Sequence, residues 1–162
     1  HFRHHEVVGA RMTKKILKGL KYDNKTIEDI ALLVEQHLRP HTFKMGWTDS
    51  AVRRYIVDAG HMLEDLNELV RADVTTKNKI KAKEIYENLD EMEKRIEEVK
   101  AKEELSKIRP ALSGDEIMEH FNIQPGPKVG VIMKALYEQR INDGEVSKED
   151  ALKLAEETYK NL

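Results

Sequence analysis

Three residues of this chain have side chains suited to holding a divalent metal: His5, His37 and Asp73. His5 stands before the acidic Glu6, His37 closes one stretch of helical periodicity, and Asp73 lies near the end of a later one. Imidazole and carboxylate together bind divalent cations, and a metal so held can activate water for phosphoester hydrolysis. Alone the three form an incomplete set, since histidines on a surface or in a core are common. His37 and His41 have the spacing that places two ligands on one helix face, but Pro40 between them removes that geometry. His61 and His120 have no acidic partner at a telling distance along the chain and read as surface or satisfied core residues.

The second kind of chemistry is phosphate binding. Lys77, Lys79, Lys81 and Lys83 crowd the start of a long charged helix, near its positive dipole end, where they invite a compensating anion. The plainer reading is a solvated face balanced by Glu84, Glu87, Asp90 and Glu91. Pro125-Gly126-Pro127-Lys128-Val129-Gly130 would offer a helix N-terminus and a cation to a phosphate, although proline in a first helical turn is also ordinary structure. Arg53 and Arg54, and the Lys14, Lys15, Lys18, Lys21 stripe, are further candidate phosphate contacts. No Gly-x-x-x-x-Gly-Lys loop, Gly-x-Ser-x-Gly elbow or nucleophile set is present. No complete active site assembles from these residues.

The elements that must position these groups are helical. The chain has 162 residues, enough for one mid-sized domain with an appendage. Charged residues make up 36% and aromatics 6%, a balance that fits amphipathic helices with charged outer faces. A net charge of -2 gives no global attraction for nucleic acid, so that case rests on local patches. With no cysteine there is neither a disulfide scaffold nor a thiolate metal site, and the cytoplasm is the expected compartment. No apolar run is long enough to cross a bilayer. The opening His1-Phe2-Arg3-His4-His5-Glu6, with no initiator Met, leads to the expectation of a fragment of a larger protein.

Periodicity predicts a helix from about His4 to Leu20, stopped around Gly19 and Tyr22-Asp23-Asn24. A second starts at a Thr26 cap and is ended by Pro40, with a loop from His41 to Trp47. Thr48 caps a third helix, closed by Gly60, and a fourth runs from His61 to about Val74. Between Thr76 and Ile108, Ile85, Leu89, Met92, Ile96 and Val99 form a heptad-like seam, read as a projecting arm, a brace or a self-associating coiled coil. After Arg109-Pro110, Ser113 and Glu116 form a capping box, Pro125-Gly126-Pro127 opens the next helix, Asn142-Asp143-Gly144 closes it, and Ser147 with Asp150 caps the last. No segment alternates with period two. The fold class is all α, in blocks 1–76, 77–109 and 110–162.

Several ordered segments then carry a family likeness. His5-Glu6-Val7-Val8-Gly9-Ala10-Arg11-Met12, Leu33-Val34-Glu35-Gln36-His37, Trp47-Thr48-Asp49-Ser50-Ala51-Val52-Arg53-Arg54 and Arg71-Ala72-Asp73-Val74-Thr75-Thr76 resemble the later part of an HD-type domain. With Ser113-Gly114-Asp115-Glu116-Ile117-Met118, Pro125 to Gly130 and Gly144 following in order, nearly the whole chain resembles the C-terminal half of bacterial CCA-adding tRNA nucleotidyltransferases and poly(A) polymerases. The resemblance implies a non-catalytic body and tail that hold tRNA through backbone and shape contacts. In that reading a head outside this chain transfers nucleotides from CTP and ATP with Mg2+, and decides between CCA and poly(A) addition. Lys77, Lys79, Lys81, Lys83, Arg53, Arg54 and Lys128 are the candidate RNA contacts. His5, His37 and Asp73 would match the later ligands of an HD-type metal site whose His-Asp doublet lies elsewhere. The alternative implied is a metal-dependent HD phosphohydrolase in the full-length protein, with the isolated chain inactive.

Overall fold

The computed structural model describes residues 5–103 and 109–162, and all its regular elements among these are helical. They are α1 (His5–Gly19), α2 (Asn24–Gln36), a 3-10 helix (Arg39–Met45), α3 (Asp49–Ala59), a short 3-10 turn (Gly60–Met62), α4 (Leu63–Ala72), α5 (Lys79–Glu103), α6 (Gly114–Phe121), α7 (Pro127–Asp143) and α8 (Lys148–Lys160). The expected start of the first helix at His4 and the extension of the long helix to Ile108 lie outside the described residues. The chain divides into two compact units, one built from the residues up to Thr48 with Tyr55–Ile96, the other from Asp49–Arg54 with Glu97–Leu162. The long helix, read from sequence as a block of its own, therefore contributes to both.

In the first unit α1 packs on α2 through its small residues. A Cβ added at Gly9 would stand 3.1 Å from Val34 Cγ1, so the bare glycine is what lets the two helices approach. α1 ends with the Tyr22 amide donating to the Leu17 carbonyl at 3.1 Å, and the left-handed residue that closes it is Lys21 at φ 62°, not the nearby glycine. α2 is capped by Asp23, whose carboxylate accepts from the Thr26 amide at 3.0 Å, three residues before the expected Thr26 cap. Pro40 does not open a loop. It occupies the first turn of the 3-10 helix, a position that needs no amide donor. Gly60 takes φ 54°, as expected of a left-handed helix closure.

The buried apolar residues of this unit include Ile27, Ala31, Tyr55, Ile56, Ala59, Leu63, Leu66 and Val70 and, from the α5 seam, Leu89, Met92 and Ile96, which are at most 3% exposed. The Tyr55 hydroxyl donates to Asn67 Oδ1 at 2.8 Å, and burial holds that phenol above its ordinary pKa. Arg71 grips Glu93 at 3.0 and 2.8 Å and Asp90 at 2.6 Å, fastening α4 to α5. Val99, at 1% exposure, continues the buried seam in the second unit. Leu89, Met92, Ile96 and Val99 are thus buried within their own chain, which leaves little of the stripe exposed for coiled-coil pairing.

The second unit closes around Leu112, Ile117, Ile132, Leu136, Ala151 and Ala155, with Phe121, Val129 and Tyr159 packed against them. The expected capping box is present: the Ser113 amide donates to Glu116 Oε2 at 2.7 Å and the Glu116 amide to Ser113 Oγ at 3.2 Å. Asn122 closes α6 at φ 49°, and Ser147 Oγ caps α8 through the Asp150 amide at 3.1 Å.

Candidate nucleic-acid interface

The lysine run sits on an exposed turn and the first turns of α5. Asn78 precedes the helix as its cap: its Oδ1 accepts from the amides of Ile80 at 3.0 Å and Lys81 at 3.2 Å. Two of the free amides that a helix N-terminus would offer to an anion are therefore already satisfied. What remains for a phosphate is the ammonium groups. Lys83 faces Glu87 at 3.6 Å, while Lys77, Lys79 and Lys81 form no ion pair among the described residues.

Lys81 also lines a cleft of about 340 Å3 bounded by Pro40, His41, Lys44, Glu84, Ile85, Asn88 and Leu89. The 3-10 helix thus brings His41 and Lys44 beside the lysine-rich start of α5, adding in Lys44 a cation that the sequence left in a loop. Its lining mixes the apolar Pro40, Ile85 and Leu89 with the cations Lys44 and Lys81 and the carboxylate of Glu84.

In the second unit Lys128 is exposed at the start of α7, its Nζ 5.2 Å from the centre of the Tyr159 ring, and Phe121 stacks on Tyr159 with centroids 4.5 Å apart. No side chain caps α7 at Gly126, so Lys128 lies at a helix N-terminus open to an anion.

Two expected contacts have other roles. Arg53 is 6% exposed and donates from Nε to the Ile141 carbonyl at 2.7 Å and from Nη2 to the Asn142 carbonyl at 2.9 Å, capping the C-terminal end of α7. Arg54 forms a two-pronged pair with Glu138, whose carboxyl it holds below the ordinary range through those hydrogen bonds. Neither guanidinium is turned to a phosphate in this arrangement. Lys14, from the α1 stripe, reaches Glu28 at 2.5 Å. His61 and His120 are surface residues, as expected, and each lies against a carboxylate distant in the sequence, Asp29 at 2.9 Å and Glu156 at 3.2 Å.

Of the metal-type residues, the fold brings two together. The rings of His5 and His37 meet edge to face with centroids 6.0 Å apart, and His37 Nδ1 donates to the Val34 carbonyl at 2.6 Å. Asp73 ends α4, its amide donating to the Leu69 carbonyl at 2.9 Å. Among the described residues no group of three or more His, Asp or Glu side chains is placed to hold a metal ion. His5, His37 and Asp73 are thus an incomplete ligand set among the described residues, and no hydrolytic step is derived through them.

Residues 7–155 match the family described as tRNA nucleotidyltransferase domain 2, and the chain belongs to that family. It is 33% identical over 150 residues to the CC-adding tRNA nucleotidyltransferase of Thermus thermophilus, covering 93% of this chain and 32% of that protein. To the A-adding tRNA nucleotidyltransferase of Deinococcus radiodurans it is 30% identical over 141 residues, covering 86% and 31%. The chain thus spans about a third of the length of these relatives. No solved structure matches it significantly. No helix among the described residues is long and apolar enough to cross a membrane.

Proposed function

We propose that this chain is the non-catalytic body and tail from the C-terminal part of a tRNA nucleotidyltransferase, and that it holds tRNA while a head outside the chain transfers nucleotides to the RNA 3′ end. The observation that carries this reading is the near-equal likeness to two relatives whose names differ in the nucleotide added, 33% to a CC-adding and 30% to an A-adding protein. A part shared so evenly is suited to what the two have in common, the tRNA, and not to the choice of CTP or ATP. Mg2+ and the nucleotide would act in the head, and the cytoplasm is the fitting compartment.

Lys77, Lys79, Lys81 and Lys83, with Lys128 in the other unit, supply the phosphate contacts. Such contacts release counterions, so affinity should fall steeply as salt rises. The test is titration of the chain with tRNA at several salt concentrations. Salt-sensitive binding supports the proposal; absent or salt-independent binding overturns it.

A further inference from the structure

α1 presents two faces. Ala10 is buried and Gly9 meets Val34 on the side that faces α2. On the rest of the helix surface Val8, Met12 and Ile16 stand 50%, 57% and 56% exposed, and Leu20, in the turn that continues the helix through its amide bond to the Ile16 carbonyl, stands 64% exposed. These four recur at every fourth residue, so they form one continuous ridge of the kind that seats in the groove of another helix. Scattered exposed apolar side chains are ordinary, but four in an unbroken row on one helix mark a surface made to be covered. The exposed Arg11 and Lys15 flank the ridge.

We infer that the Val8–Met12–Ile16–Leu20 ridge is the docking surface for a helix of the remainder of the full-length protein, an apolar helix with carboxylates set opposite Arg11 and Lys15. The choice of occupant rests on length: roughly two thirds of each relative lies outside the part that this chain matches, and the matched family is by description a second domain. It rests on the reading above that the chain is one part of a longer protein. The α5 seam is buried and offers no competing surface.

The chain has no cysteine, so a thiol introduced into it is unique within it. Met12→Cys is placed in the 162-residue chain and in the full-length protein, with Glu149→Cys, on exposed α8, as the reference. Maleimide labelling is followed by mass spectrometry of the labelled peptide. In the 162-residue chain both thiols should react at similar rates; in the full-length protein Met12→Cys should react at least about tenfold more slowly than Glu149→Cys, as expected for a residue moved from surface to packed interface. Equal rates in the full-length protein overturn the inference. Protection that appears in the 162-residue chain and grows with its concentration assigns the ridge to a second copy, and protection that appears only with anionic vesicles assigns it to a lipid surface; either overturns it. Amide exchange of α1 in the unsubstituted proteins, slower in the full-length form, gives the same answer should the cysteine variant fold poorly. Failure of tRNA binding with Met12→Cys still protected counts against the function proposed above and supports the docking surface.

Discussion

Arg53 Nε donates to the carbonyl of Ile141 over 2.7 Å, joining residues far apart in the sequence. The carbonyls at the end of α7 have no helical partner of their own, and this guanidinium supplies one to Ile141 and one to Asn142. Arg53→Met should therefore destabilise the chain by about 2–3 kcal/mol, the cost of leaving the buried Ile141 carbonyl, and with it that of Asn142, without a charged donor. Urea unfolding should show a lower midpoint with an unchanged slope, while the salt dependence of tRNA binding stays as it was. A variant as stable as the parent would remove the capping role.

The lysines at the start of α5 predict the opposite pattern. Lys77→Gln, Lys79→Gln and Lys81→Gln together should leave stability within about 0.5 kcal/mol of the parent in urea unfolding, because the three side chains are exposed. Affinity for tRNA should fall, and the slope of log affinity against log salt should shrink by roughly 0.7–0.9 for each phosphate that is no longer neutralised. An unaltered slope would move the RNA to another face.

Glu116 gives a pH signature. The hydrogen bond from Lys148 at 2.6 Å, followed by the Ser113 amide and hydroxyl, pulls its carboxyl to about 2 from an ordinary 4.5. The folded value lies below the unfolded one, so the stabilisation is fully present above pH 4.5 and is lost as the pH falls toward about 2. Thermal midpoints of the parent and of Glu116→Gln should converge across that window. A constant difference between the two would contradict the assignment.

Lys21 holds a left-handed conformation, φ 62°, that costs a side-chain-bearing residue about 1 kcal/mol relative to glycine. Lys21→Gly should raise stability by about 0.5–1 kcal/mol, read as a higher melting temperature. A fall would mean that the lysine side chain contributes more than its backbone costs.

Ile96 is 2% exposed in the α5 seam. Ile96→Ala should cost about 2–4 kcal/mol through the cavity it leaves, with no dependence on protein concentration. If the destabilisation instead grew on dilution, the seam would be pairing between chains.

The local grammar of the helices is legible from residues close in sequence. Ser113 with Glu116, Ser147 with Asp150, Pro127 in a first turn and Gly60 at a helix end all do what their types and spacing imply, because each device closes within a few residues. The start of α2 is less so, because Asp23 and Thr26 are both competent caps and bond to each other, at 2.6 Å between the side chains. Pro40 has the sequence signature of a breaker, yet a proline in the first turn of a 3-10 helix costs no hydrogen bond. The candidate site is harder to read. Nothing near Arg53, Arg54, His61 or His120 in the sequence reveals that Ile141, Glu138, Asp29 and Glu156 will meet them. A surface lysine such as Lys79 and a buried arginine such as Arg53 look alike until the distant partner is known. Likewise the pairing of His5 with His37 can be anticipated from type, whereas the lack of a third ligand among the described residues depends on where α4 leaves Asp73.

The first half of α3 belongs to the same compact unit as the tail, through Arg53 and Arg54. The tail is therefore no cassette that could be cut at residue 109 and spliced onto another protein. Severed there, it would lose the guanidinium that closes α7 and the partner of Glu138, so any recombination that keeps the tail working must carry residues 49–54 with it.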